Sequence, residues 1–260
     1  MASTNLLTQF SGLTSNSVNS NSDTNSTTMR RLFKRDELPR DVTVDTIDSI
    51  NATLKRLRSR KVGLIVPGHG REWTKDWIHI YLQGHIRRTL SLIESGIVEI
   101  RNGRPLVAAL CARAIFEEAA VVWEFITRVN EFLDKDDDDA TEEFVITRTL
   151  ATRVPHVLKE HGAQFKAVSI LTILERFYKL NPGYQAIYDD LSEVVHPNST
   201  GVFHHFAEQR DEYVEFHDGE KLRDTALSAL VQATYIFCAD EPYIEKLEHR
   251  IRNYSHLTSA

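Results

Sequence analysis

Apolar residues recur three and four positions apart from Val44 onward. The first such run, Val44, Ile47, Ile50, Leu54 and Leu57, puts one apolar face on a helix reaching about Lys61. The segment from Val66 to Gly70, with Pro67 and two glycines, then interrupts the pattern. A long helix is predicted from Trp73 to about Arg101, turning Trp77, Ile80, Tyr81, Ile86, Leu90 and Ile93 inward. Asn102 and Gly103 make a tight turn, and Pro105, suited to a first helical turn, opens a second long helix to about Leu133. These two should form an antiparallel hairpin. Further helices are expected up to about His161, ended by Gly162, then from about Gln164 to Leu180, and from about Tyr184 to Val195 before His196, Pro197 and Asn198. Val202–Ala207 and Glu212–Phe216 alternate like a short hairpin. A last helix follows Gly219 with Leu222, Ala226, Leu230, Ala233 and Phe237 inward, and Pro242 is placed to kink or divide it. The fold class read from this pattern is mainly α: a bundle of about six to seven helices with one small β-hairpin near residues 202–216.

Residues 11–28 break with that picture, being dominated by Ser, Asn and Thr. They cannot offset ordering entropy by burial, so residues 1–38 are expected to be a disordered tail and residues 39–260 a single helical domain. The start of the chain lacks the basic-then-apolar order of a secretory leader, and no apolar run reaches the roughly 20 residues that a bilayer requires. A cytoplasmic protein with no membrane partner is the expectation. Cys111 and Cys238 sit in apolar helical patterns as small hydrophobes, without the polar neighbours that activate a thiolate.

The net charge of −6 is unevenly placed. Between Met29 and Lys61 ten Lys/Arg face five Asp/Glu, a local excess of +5 that leaves −11 for the remainder. Its densest part is Lys55, Arg56, Arg58, Arg60 and Lys61. This run could hold a phosphate backbone or an acidic partner, or it is the solvated C-terminal end of a helix, where cations suit the dipole. The acidic run Asp134–Asp139 lacks the alternating ligands and glycine turn of a calcium loop and reads as a loop plus a helix cap.

Two places carry candidate chemistry. In Leu106–Ile126 only Arg113, Glu117, Glu118 and Glu124 interrupt a helix that is apolar nearly all round, so these polar residues form either a narrow solvent stripe or buried pairs. Arg113 and Glu117, four apart, can meet on one face: as a structural ion pair, or as a planar fork for an anion with Glu117 orienting it. In Tyr184–Gly201, helical spacing sets Tyr188, Ser192 and His196 on one face. His196, Pro197 and Asn198 can be a simple helix stop. Alternatively His196 is a general acid or base, with Tyr188, Ser192 or Asn198 orienting it or contacting substrate.

The pairing of Ala112–Ala120 (Ala-Arg-Ala-Ile-Phe-Glu-Glu-Ala-Ala) with the later Tyr188–Asn198 segment, containing Leu-Ser-Glu and His-Pro-Asn, resembles a group of bacterial helical proteins. It also resembles, more distantly, the HEPN superfamily, over about residues 73–200. That resemblance implies a helical bundle, frequently dimeric. It implies either a non-catalytic binding role or a metal-independent endoribonuclease of a defence or toxin-like system, with Arg and His acting on RNA phosphate. The family's signature is an Arg followed after four to six residues by His, and no Arg stands at that distance before His196. The spacing occurs instead at Arg210/His217 and Arg250/His256, in a strand-like and a terminal segment. A catalytic pair would therefore have to be assembled across helices, as Arg113 with His196. No zinc spacing and no phosphate-cradling glycine motif accompany these residues, so neither a metal site nor a cofactor is expected. Two expectations result: a helical interaction protein, homo-oligomeric, with a protein partner, or a ribonuclease with RNA as partner.

Overall fold

In a computed structural model of the chain, which describes residues 32–38, 42–68 and 71–253, the helical periodicity resolves into nine α-helices among the described residues. They are α1 (Val44–Ser59), α2 (Arg71–Arg101), α3 (Pro105–Leu133), α4 (Asp138–Thr149), α5 (Pro155–His161), α6 (Ile170–Leu180), α7 (Gly183–Val195), α8 (Leu222–Ala239) and α9 (Glu241–Asn253). One antiparallel pair of short strands, β1 (Ala207–Gln209) and β2 (Val214–Phe216), completes the mainly α fold. Residues from Leu32 onward form one compact unit.

Two expected helices are each divided, and prolines explain both divisions. Pro155 forces Val154 into an extended conformation and starts α5. The strand-like backbone before it is held by a parallel bridge between Thr152 and Lys166. Pro242 stands in the first turn of α9, where its missing N–H costs nothing, and Asp240 forms the corner between α8 and α9. The hairpin also begins later than the alternation predicts, because Thr200–His204 is a helical turn and pairing starts at Ala207.

The apolar circumference of α3 makes it the central helix, packed against α2, α4, α6, α7 and α8. Ala108, Ala112, Ile115, Phe116, Ala119, Val122 and Phe125 are buried along it. The α2–α3 turn closes as the spacing predicts: Gly103 takes a left-handed φ of 71°, and the N–H of Arg104 reaches back to the carbonyl of Glu99 at 2.8 Å. Where α2 crosses α8, Gly96 lets the backbone approach Leu230; a Cβ there would sit 2.7 Å from a Leu230 methyl. The acidic run caps α4 through the Asp137 carboxylate, which accepts from the N–H of Ala140 at 3.0 Å.

Residues 1–31 of the expected tail, and His69 and Gly70 in the break after α1, lie outside the described residues. Residues 32–38 are packed rather than loose. Phe33 is buried, its backbone N–H and C=O are both bonded to the Asn51 side chain, and Glu37 pairs with Arg101 at 2.9 Å. Phe33 supplies the apolar burial that the Ser/Asn/Thr run lacks. No helix among the described residues is long and apolar enough to cross a membrane.

Candidate functional site

The outward face of α3 brings Arg113 and Glu117 against α7. Arg113 Nε and Nη2 donate to the Tyr188 hydroxyl at 3.3 and 3.2 Å, and that hydroxyl donates to Glu117 Oε1 at 2.8 Å. The guanidinium lies 3.3 Å from Glu117 and 5.4 Å from the centre of the Tyr188 ring. Burial raises the Tyr188 phenol above its ordinary range; Arg113 opposes the rise and Glu117 adds to it, so the hydroxyl keeps its proton at neutral pH. Charge, hydroxyl and ring thus satisfy one another, and the trio staples α7 to α3 across the sequence.

His196 does not join this trio. It stands just past α7 with its backbone N–H on the Ser192 carbonyl, exposed, and its ring makes no hydrogen bond among the described residues. At about 1.5 Å per residue it lies roughly 12 Å further along the axis than Tyr188. Ser192 Oγ is buried without a hydrogen-bond partner among the described residues. Asn198 is committed to the loop: its amide donates to Glu193 at 2.7 Å and its carbonyl accepts from the N–H of Gly201 at 2.8 Å. Gly201 is tucked so closely beneath the helix end that a Cβ would lie 2.0 Å from the His196 carbonyl oxygen. The structure therefore joins Arg113, Glu117 and Tyr188, while Asn198 acts as a helix stop.

A second constellation on α3 was not legible from spacing. Glu118, next to Glu117 but turned to the other flank, accepts from His85 Nδ1 and Arg88 Nε of α2, both at 2.6 Å. Burial raises the Glu118 carboxyl, but the hydrogen bonds and charges of His85 and Arg88 outweigh it and hold it below the usual carboxylate range. An ionised carboxylate only accepts, so Nδ1 carries a proton, and Nε2 makes no hydrogen bond among the described residues. Arg88 is largely exposed beside it. This is a carboxylate-oriented imidazole next to a solvent-facing guanidinium, an arrangement capable of proton transfer near an anion. The available sequence signal was Glu118 in an apolar helix, together with His85 and Arg88 three apart on α2. Glu124 is itself buried and pairs with Arg148 and with the exposed Arg176, at 2.8 and 2.6 Å, as a structural triad.

The basic run at the C-terminal end of α1 is largely occupied internally. Arg56 pairs with Glu241 at 2.9 Å, Arg58 with Glu94 at 3.1 Å, and Arg60 faces Glu248 at 3.7 Å, while Lys55 and Lys61 are exposed. Both cysteines are buried and unbridged, and burial pushes the Cys238 thiol up to about 12. Among the described residues no group of three or more His, Cys, Asp or Glu side chains could hold a metal ion. No family model matches this chain, and no curated protein or solved structure matches it.

Proposed function

We propose that this chain is a non-catalytic helical interaction module of HEPN-like type that self-associates, with the arm from Val202 to Phe216 as its contact surface. One observation carries the reading: every residue of β2 is exposed, and Phe203, Tyr213 and Phe216 stand 53%, 63% and 73% open on the same short arm. Several exposed aromatic side chains gathered on one short segment support an interaction site, and a lone two-stranded hairpin is marginal in water without further packing. Each strand has one unpaired edge among the described residues, which a strand from a second copy can extend. The internal satisfaction of Arg113 by Glu117 and Tyr188 agrees with a structural rather than catalytic role for that pair. Sedimentation equilibrium tests the reading. Wild type should run as a dimer or larger species at micromolar concentration, and Tyr213→Asp/Phe216→Asp as a monomer with unchanged helical circular dichroism. Equal mass for both would refute it.

The Glu118–His85–Arg88 contact favours one second reading, metal-independent RNA cleavage. In it, His85 takes the 2′-hydroxyl proton, the 2′-oxygen attacks phosphorus to form a cyclic phosphate, the 5′-oxygen leaves as a hydroxyl on receiving the proton back from His85, and Arg88 holds the phosphate. RNA incubated with wild type, His85→Ala, Arg113→Ala and His196→Ala separates the readings. The interaction module predicts no cleavage above buffer in any of the four. Cleavage by wild type lost only in His85→Ala would install the ribonuclease in its place, and loss in Arg113→Ala and His196→Ala would move the site to that pair.

A further inference from the structure

A cleft of about 370 Å³ opens where the C-terminal half of α3, the α6–α7 junction and the α8–α9 corner meet. Its walls include Trp123, Phe177, Tyr184 and Tyr243, and Asp240 lines it as well. The aromatic walls are mutually braced: Phe177 lies 5.4 Å from Trp123 edge-on and 5.6 Å from Tyr184 in a stack. Asp240 is buried, its Oδ2 is shut from water without a hydrogen-bond partner, and it forms no ion pair among the described residues. Its side chain is not needed for the corner. The backbone N–H of Asp240 reaches the Phe237 carbonyl, and its own carbonyl takes the N–H groups of Tyr243 and Ile244. A buried carboxyl with neither a partner nor a structural task points to a missing ligand group.

We propose that this cleft binds a small organic ammonium compound, its alkylated nitrogen set against Asp240 and enclosed by the aromatic side chains. Aromatic faces attract cations, and alkyl groups on the nitrogen fill an apolar box that a hydrated metal ion would not. A single carboxylate without further Asp, Glu, His or Cys also leaves a metal too few ligands. The neighbouring guanidinium groups do not pair with Asp240: Arg250 is bonded to Asn130 and Asp134, and Arg56 to Glu241. Tyr243 already carries an ammonium of the chain itself, with Lys246 Nζ 5.7 Å from its ring centre. Burial alone pushes the Asp240 carboxyl well above the carboxylate range, a cost that a bound cation removes.

Calorimetric titration of the full chain at one fixed pH tests this with choline, with its neutral carbon isostere 3,3-dimethylbutan-1-ol, and with a peptide bearing trimethyllysine. Choline should saturate the protein and bind about tenfold or more tighter than the isostere, and Asp240→Asn should lose about tenfold or more of that affinity. Tighter binding of the peptide than of choline assigns the ammonium to a protein side chain, and the reverse assigns it to a free molecule. Tyr243→Ala, on an exposed residue, gives a second variant that should also weaken choline binding without unfolding the chain. Equal affinity for choline and isostere, unchanged affinity in both variants, or no saturation by either ammonium probe would overturn the proposal.

Discussion

At the scale of single residues, three carboxylates on or beside α3 show how surroundings decide role. Glu117 accepts from a phenol and faces Arg113, Glu118 takes an imidazole and a guanidinium, and Glu124 takes two guanidinia. Asp240 has none of these, and its raised carboxyl makes a pH prediction whose sign is fixed. The native state keeps a proton that the unfolded chain releases above about pH 4, so stability falls as pH rises from there towards the elevated native value. Asp240→Asn should therefore raise the melting temperature at pH 8 by several degrees, at roughly 2–4 °C per kcal/mol, with the gain vanishing near pH 3. Thermal scans across that range check it; an equal effect at both ends would mean the carboxyl is ionised at neutral pH. Arg113 and Glu117 were legible as partners because the four-residue repeat of a helix makes them neighbours. Tyr188 and His85 were not legible as partners of α3, because which residue completes a pair across helices depends on packing that no local period encodes.

At the scale of elements, the long helices could be read because an apolar residue every third or fourth position leaves no alternative. The divisions at Pro155 and at Asp240 were harder, since a proline in a first turn looks in the sequence like one that kinks a continuing helix. The stop after α7 rests on Gly201, which the sequence showed only as the end of a polar run. Its Cβ position is filled by the His196 carbonyl oxygen at 2.0 Å, with those of Val194 and Glu193 close behind. Backbone cannot yield as a flexible side chain does, so Gly201→Ala should cost about 2–3 kcal/mol. Urea unfolding reads this as a lowered midpoint at unchanged slope. An unaltered midpoint would mean that the turn beneath α7 is free to move.

At the scale of the whole molecule, a mostly buried helical core stands against an arm whose large apolar side chains are exposed. Most aromatic and aliphatic residues of α3 and α8 are buried, with Val107, Leu110 and Tyr235 as exposed exceptions, and the charged groups among them are largely paired. Residues 202–216 keep large apolar side chains in water on a hairpin too small to hold itself. Alternation announced that hairpin, but sequence cannot say which face of a two-stranded arm the rest of the fold leaves bare. Hydrogen–deuterium exchange of the amides in residues 207–216, followed at two protein concentrations on either side of the association midpoint, tests this division most directly. Exchange there should slow by about tenfold or more at the higher concentration while α3 is unchanged. Identical exchange of the arm at both concentrations would contradict it.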